Sequence, residues 1–174
     1  RNEPITNIVY MGMGEPFLNY NEVMKSADII HNPNGMNLGR KKITISTSGI
    51  VPKIKQFIDE NQPYKLAISL NATTDDVRTS IIPINKKWNI EMILNELDHY
   101  PSDKKNMVML EYVLLKDIND SKEDAEKLSF YANRLHCKVN IIPFNDIGNQ
   151  YSRPDDDTIN DFIHILHKNQ EHYQ

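Results

Sequence analysis

One cysteine, Cys137, stands alone in 174 residues, so no internal disulfide can form and no cluster of Cys and His at metal-ligand spacing exists anywhere in the chain. Aromatic residues make up 8% of the sequence, and the longest apolar runs, such as "VMLEYVLL", fall far short of the roughly 20 residues a membrane span needs. No charged-then-apolar leader opens the chain. A soluble, cytoplasmic protein without membrane contact is therefore expected. An excess of positive charge is also missing. The net charge of −4 is the wrong sign for a surface that tracks phosphates throughout, although basic residues gather at "GRKK" (Gly39 to Lys42) and "KKW" (Lys86 to Trp88), where each run also suits a solvated loop.

What is present suits one core. Hydrophobic residues form 39% of the chain, whose length allows a single domain, 1–174, to bury about 70% of its unfolded surface. Five strand-like runs, "TNIVYM", "KKITIST", "YKLAISL", "NMVMLEYVLL" and "KVNIIPF", alternate with helical patterns. Val23, Ala27, Ile29 and Ile30 give one apolar stripe, and Ile54, Phe57 and Ile58 a second. Ile90, Ile93, Leu94 and Leu97 give a third, which "PSD" ends. Ser121, with Asp124 three residues on, reads as the cap of a helix whose Ala125, Leu128, Tyr131, Ala132 and Leu135 share a face. Ile159, Phe162, Ile163 and Leu166 close the chain. The alternation calls for parallel strands with right-handed crossovers, in either a doubly wound sheet or a (β/α) barrel. The chain starts at Arg1 and enters a strand within about five residues, as expected of a piece of something longer.

At the C-terminal end of each run apolar residues give way to small or polar ones: Gly14 and Glu15, Ser46 to Gly49, Ser69 to Asn71, Lys116 to Asn119, and Asn145. In parallel architectures that edge binds ligands. Gly12 and Gly14 permit backbone angles that a Cβ would block, and a carboxylate beside them suits a turn or a ligand ammonium group. Gly-x-Gly without a third glycine is not a dinucleotide fingerprint. Glu111 lies inside an apolar strand and needs a partner; a structural ion pair with Arg78 or Arg40, or a ligand, would serve. His164 and His167 lack a third ligand and read as solvated, and Cys137 as a small core residue.

"VYMGMGEPFLNYNEV", "ITISTSGIVPKI", "LAISLNA", "RTSIIPIN", "EYVLLKDINDS" and "NIIPFN", followed by "YSRP", run in order over almost all of residues 7 to 166. Together they resemble the RlmN/Cfr family. The resemblance implies a radical S-adenosylmethionine (SAM) enzyme that methylates C2 of an adenine in large-subunit ribosomal RNA, and in RlmN also in transfer RNA. It implies a TIM-like partial (β/α) barrel, here strands two to six, without the first strand and its cluster loop. Gly14 and Glu15 would hold the amino group of SAM, and Ser46, Ser69, Leu70, Asn71 and Asn145 would contact the rest. Many members carry His at Asn71 and Pro at Asp146. The family's four-iron four-sulfur cluster sits on a CxxxCxxC loop, and two further cysteines carry and resolve a methyl intermediate. Cys137 matches none of these, so this chain alone is expected to hold no catalytic or metal-binding residue and to be inactive. Two alternatives share part of the pattern: another radical SAM enzyme, such as a glycyl-radical activase, and a non-catalytic binding or regulatory barrel.

Overall fold

The computed structural model describes residues 4–101, 107–146, 148 and 150–171. Five strands, β1 (Ile8–Tyr10), β2 (Ile43–Thr47), β3 (Lys65–Ser69), β4 (Met109–Leu114) and β5 (Lys138–Pro143), pair in the order of the chain, and every neighbouring pair is parallel. A doubly wound sheet reverses its strand order at a switch point; here there is none, and the sheet curls as half of a barrel. The sequence leaves both architectures open, and the strand order selects the barrel.

Helices α1 (Tyr20–His31), α2 (Val51–Asp59), α3 (Asp75–Ile81), α4 (Ile90–Leu97), α5 (Lys122–Leu135) and α6 (Asp156–Glu171) fill the crossovers. Alternation along the strands sends Ile43, Ile45, Leu66, Ile68, Leu110, Tyr112 and Leu114 into the buried core with the helices. Each contributes on the order of 1.5–3 kcal/mol relative to exposure. Tyr112 stacks on Phe162 of α6 with ring centroids 5.7 Å apart. The opposite, concave face carries Thr44, Ser46, Ala67, Ser69, Glu111 and Asn140, as the register Ser46↔Ala67, Ser69↔Glu111 and Glu111↔Asn140 requires. No helix among the described residues is long and apolar enough to cross a membrane.

The expected stripes of α2, α4, α5 and α6 face the core, but that of α1 differs. Tyr20, Met24 and Ala27 are buried, whereas Ile29 is 61% exposed. Two residues advance a helix by about 200°, so Ile29 cannot share the face of Ala27. The residues Ser102 and Asp103, expected to end the third stripe, lie outside the described ones; α4 itself ends at Leu97. Helix α3 escaped the periodicity altogether, because its seven residues turn an arginine inward. Ser121 caps α5 as expected: Asp124 N donates to Ser121 Oγ at 3.1 Å, and Ser121 Oγ donates to Asp124 Oδ2 at 2.6 Å.

The inward arginine, Arg78, is fully buried and ties together the two loops that follow β2 and β3. Its Nε donates to Leu70 O (3.0 Å), its Nη1 to Asn85 Oδ1 (2.9 Å), and its Nη2 to Ser48 O (2.5 Å) and Ser69 O (3.3 Å). Desolvation pushes the guanidinium down to about 10, offset in part by Asp75, so it stays charged at neutral pH. A planar fork of five donors suits this task and an ammonium does not.

Two outcomes follow for urea denaturation. Arg78→Met strands these carbonyls without a donor and should cost roughly 3 kcal/mol or more, with Arg78→Lys recovering only part. Ser121→Ala should cost about 1 kcal/mol, and Ser121→Asp should be close to neutral.

Candidate functional site

Parallel strands deliver all their C-terminal ends to one rim. On β1 the exit runs through Gly12 and Gly14, whose φ angles of +131° and +102° only glycine adopts easily, and a Cβ built at either would meet nothing within 4 Å. The expected freedom of backbone is there, facing open space, beside a cleft of about 300 Å³ lined by Tyr10, Gly12, Gly14, Glu15 and Asn19. Glu15 ends this loop and caps the short 3-10 turn Pro16–Asn19. Its Oε1 accepts from Phe17 N at 2.9 Å, and its Oε2 accepts from Ser48 N at 2.7 Å and Ser48 Oγ at 2.6 Å. The carboxylate thus joins the rim of β1 to that of β2. An ionised carboxylate offers about four acceptor positions, so about one on Oε1 remains for a ligand N–H.

Deeper in the concavity, Ser46 Oγ donates to Glu111 Oε2 at 2.6 Å and Ser69 Oγ donates to the same oxygen at 3.2 Å, with the two hydroxyls 3.3 Å apart. Glu111 reaches from β4 back to β2 over Ala67 and Ser69 of β3, whose small side chains leave it room. The ion pair expected of Glu111 with Arg78 or Arg40 does not form. Arg78 is spent on loop carbonyls, and the partners of Glu111 are the two serines.

Asn71 sits in the left-handed region at φ +57°, its Oδ1 accepting from Val113 N at 2.9 Å, and its amide nitrogen has no partner among the described residues. Leu70 follows Ser69 but turns its side chain wholly into the core, while its N donates to Glu111 O and its O accepts from Arg78. It can offer the rim only its place beneath the others. Asn145 is exposed two residues past β5, and Phe144 N, donating to Leu114 O at 3.3 Å, keeps that exit beside β4. The rim therefore gathers Gly14, Glu15, Ser46, Ser69, Asn71 and Asn145 on one edge. In the sequence, Asn119 is one residue of the polar strand end Lys116 to Asn119. Fully buried, it donates to Asn71 O and Val113 O, both at 2.8 Å, and accepts from Leu115 N at 2.7 Å. An isolated Asn in a turn gives no sequence signal for that hub.

The residues present fit SAM. The glycine cradle is open, Glu15 has spare acceptor capacity, and the Ser46 and Ser69 hydroxyls and the Asn71 amide, whose nitrogen has no partner among the described residues, stand at the exits of the neighbouring strands. They do not fit an iron–sulfur cluster. Cys137 is 7% exposed, desolvation pushes its thiol up to about 12, and it precedes β5, at the end of the sheet opposite the rim. Among the described residues no three His, Cys, Asp or Glu side chains stand together as metal ligands, and His164 and His167 are exposed.

No family model matches the chain. It is 47% identical over 161 residues to the dual-specificity RNA methyltransferase RlmN of Nautilia profundicola, an alignment covering 92% of this chain and 46% of that protein. It is 48% identical over 159 residues to the RlmN of Bdellovibrio bacteriovorus, covering 91% and 39%. The crystal structure of a radical SAM methyltransferase from Sphaerobacter thermophilus superposes with a TM-score of 0.88 at 42% identity, over 95% of this chain and 49% of that one. A domain of pyruvate-formate lyase-activating enzyme from Bacteroides vulgatus gives a TM-score of 0.71 at 13% identity over 95% of both chains, a likeness of fold alone. The chain spans less than half the length of these RlmN relatives, and over that span it is 47% and 48% identical to them. Over the part it spans, the chain is similar to RlmN proteins and to a radical SAM methyltransferase at 42–48% identity.

Proposed function

We propose that these residues form the SAM-binding wall of an RNA methyltransferase that methylates C2 of an adenine in large-subunit ribosomal RNA, with transfer RNA as a second substrate, in the cytoplasm. The observation that carries the reading is the Gly12–Glu15 loop, bonded through Ser48 to the strand that presents Ser46, in a chain 47% identical to an RlmN. Gly14 and Glu15 would take SAM's amino group, the backbone by close approach and the carboxylate through its remaining acceptor. Ser46, Ser69, Asn71 and Asn145 would take the rest of the molecule, with Leu70 packed beneath. Bound SAM supplies the transferred methyl group. This chain's share of the work is to bind, orient and exclude water.

The cluster ligands of such an enzyme lie outside these residues, and so does much of the surface that would meet RNA, because a net charge of −4 repels a phosphate backbone. SAM should accordingly bind this chain weakly, in the millimolar range that saturation-transfer NMR detects. Glu15→Ala should weaken the contact by about tenfold or more, since a charge-assisted hydrogen bond is worth roughly 1.5–3 kcal/mol. Tight binding that survives Glu15→Ala would remove the residue from the site. Reconstitution with iron and sulfide should produce no visible-light absorbance on this chain; a bound cluster would defeat the assignment of its ligands elsewhere.

A further inference from the structure

Glu111 belongs to no role assigned so far. It is 2% exposed, it lies on the concave face, and no Lys or Arg among the described residues pairs with it. Placing a carboxylate there is costly unless hydrogen bonds satisfy it. Both hydroxyls that do so, Ser46 and Ser69, belong to the rim residues that the proposed function gives to SAM, and both donate to one oxygen, Oε2.

We infer that Glu111 is a positioning residue that fixes the hydrogen-bonding sense of the SAM pocket. A serine hydroxyl carries one hydrogen and two lone pairs. With the Ser46 hydrogen held on Glu111 at 2.6 Å, and the Ser69 hydrogen held within the cluster by Glu111 Oε2 at 3.2 Å or Ser46 Oγ at 3.3 Å, neither serine has a donor left for a ligand, and both present lone pairs to the concavity. The group that lies over Ser46 and Ser69 must therefore be a donor, an O–H such as a ribose hydroxyl or an N–H. A ligand carboxylate or phosphate finds no partner there and meets the Glu111 charge behind. Asn71 complements this, because its free amide nitrogen is a donor and so receives the acceptor atoms of the same molecule. The pocket is thus divided into an acceptor half on β2 and β3 and a donor half at the exit of β3.

The inference rests on the SAM reading, and the test separates the two. Saturation-transfer titrations with SAM on the full 174-residue chain should show Glu111→Leu raising the dissociation constant tenfold or more. The isosteric Glu111→Gln, which keeps an oxygen acceptor, should stay within about threefold. Ser46→Ala combined with Ser69→Ala should lose as much as Glu111→Leu, and all three changes together no more than either, because the carboxylate acts through the hydroxyls. Equal losses for Gln and Leu would assign the effect to charge and overturn the inference. So would additive losses, or wild-type binding by Glu111→Leu or by the double serine variant. Where Glu111→Leu fails to fold, Glu111→Gln and the serine pair still decide. A second readout needs no ligand: the Ser46 hydroxyl proton should exchange slowly enough to appear in proton NMR, identified by its loss in Ser46→Ala. Absence of that proton from the wild type overturns the clamp even if SAM binds. If the proton is seen and the wild type binds no SAM, the SAM reading falls and takes the ligand half of the inference with it.

Discussion

Parallel pairing in chain order constrains everything else in this protein. A sheet whose strands all run the same way must place every crossover outside one face and every strand exit on one rim. Residues as distant in sequence as Glu15, Ser69 and Asn145 reach the same edge without any contact between their own segments having to arrange it. The helices then have one duty, to cover the convex face, and their apolar stripes do so through a continuous core.

The price of a polar rim is that charges must be kept close to that core, and the chain keeps two of opposite sign without joining them. A direct ion pair between Arg78 and Glu111 would satisfy both but would also neutralise the pocket. Arg78 instead binds backbone carbonyls of the two loops after β2 and β3, which fixes where the loops go. Glu111 binds side-chain hydroxyls, which fixes how they are presented. One residue sets position and the other polarity, and each is satisfied by more than one hydrogen bond.

Much of this was legible in the sequence, for reasons that differ by element. All five strands are marked by runs rich in Val, Ile, Leu or Tyr, and α4, α5 and α6 by clean periodicity. Helix α3 was not, because its buried side chain is an arginine. Ile29 misled, since an apolar residue beside a true stripe looks like part of it until the turn angle is counted. The rim could be read because polar residues ended strand after strand. The partners of Glu111 could not: Ser46 lies 65 residues away, and only the fold brings it within 2.6 Å. Leu70 stands at the rim through the resemblance and its place between Ser69 and Asn71; the pleat sends its side chain into the core, so it meets the rim with its backbone.

The lone buried thiol gives the chain a built-in clock. A cysteine packed beside β5 and held protonated is closed to alkylating reagents until that end of the sheet lifts away from α5, and no other sulfhydryl competes for the label. The rate of trapping Cys137 therefore records how often the last strand opens, which makes the cohesion of a half-built barrel a directly countable event.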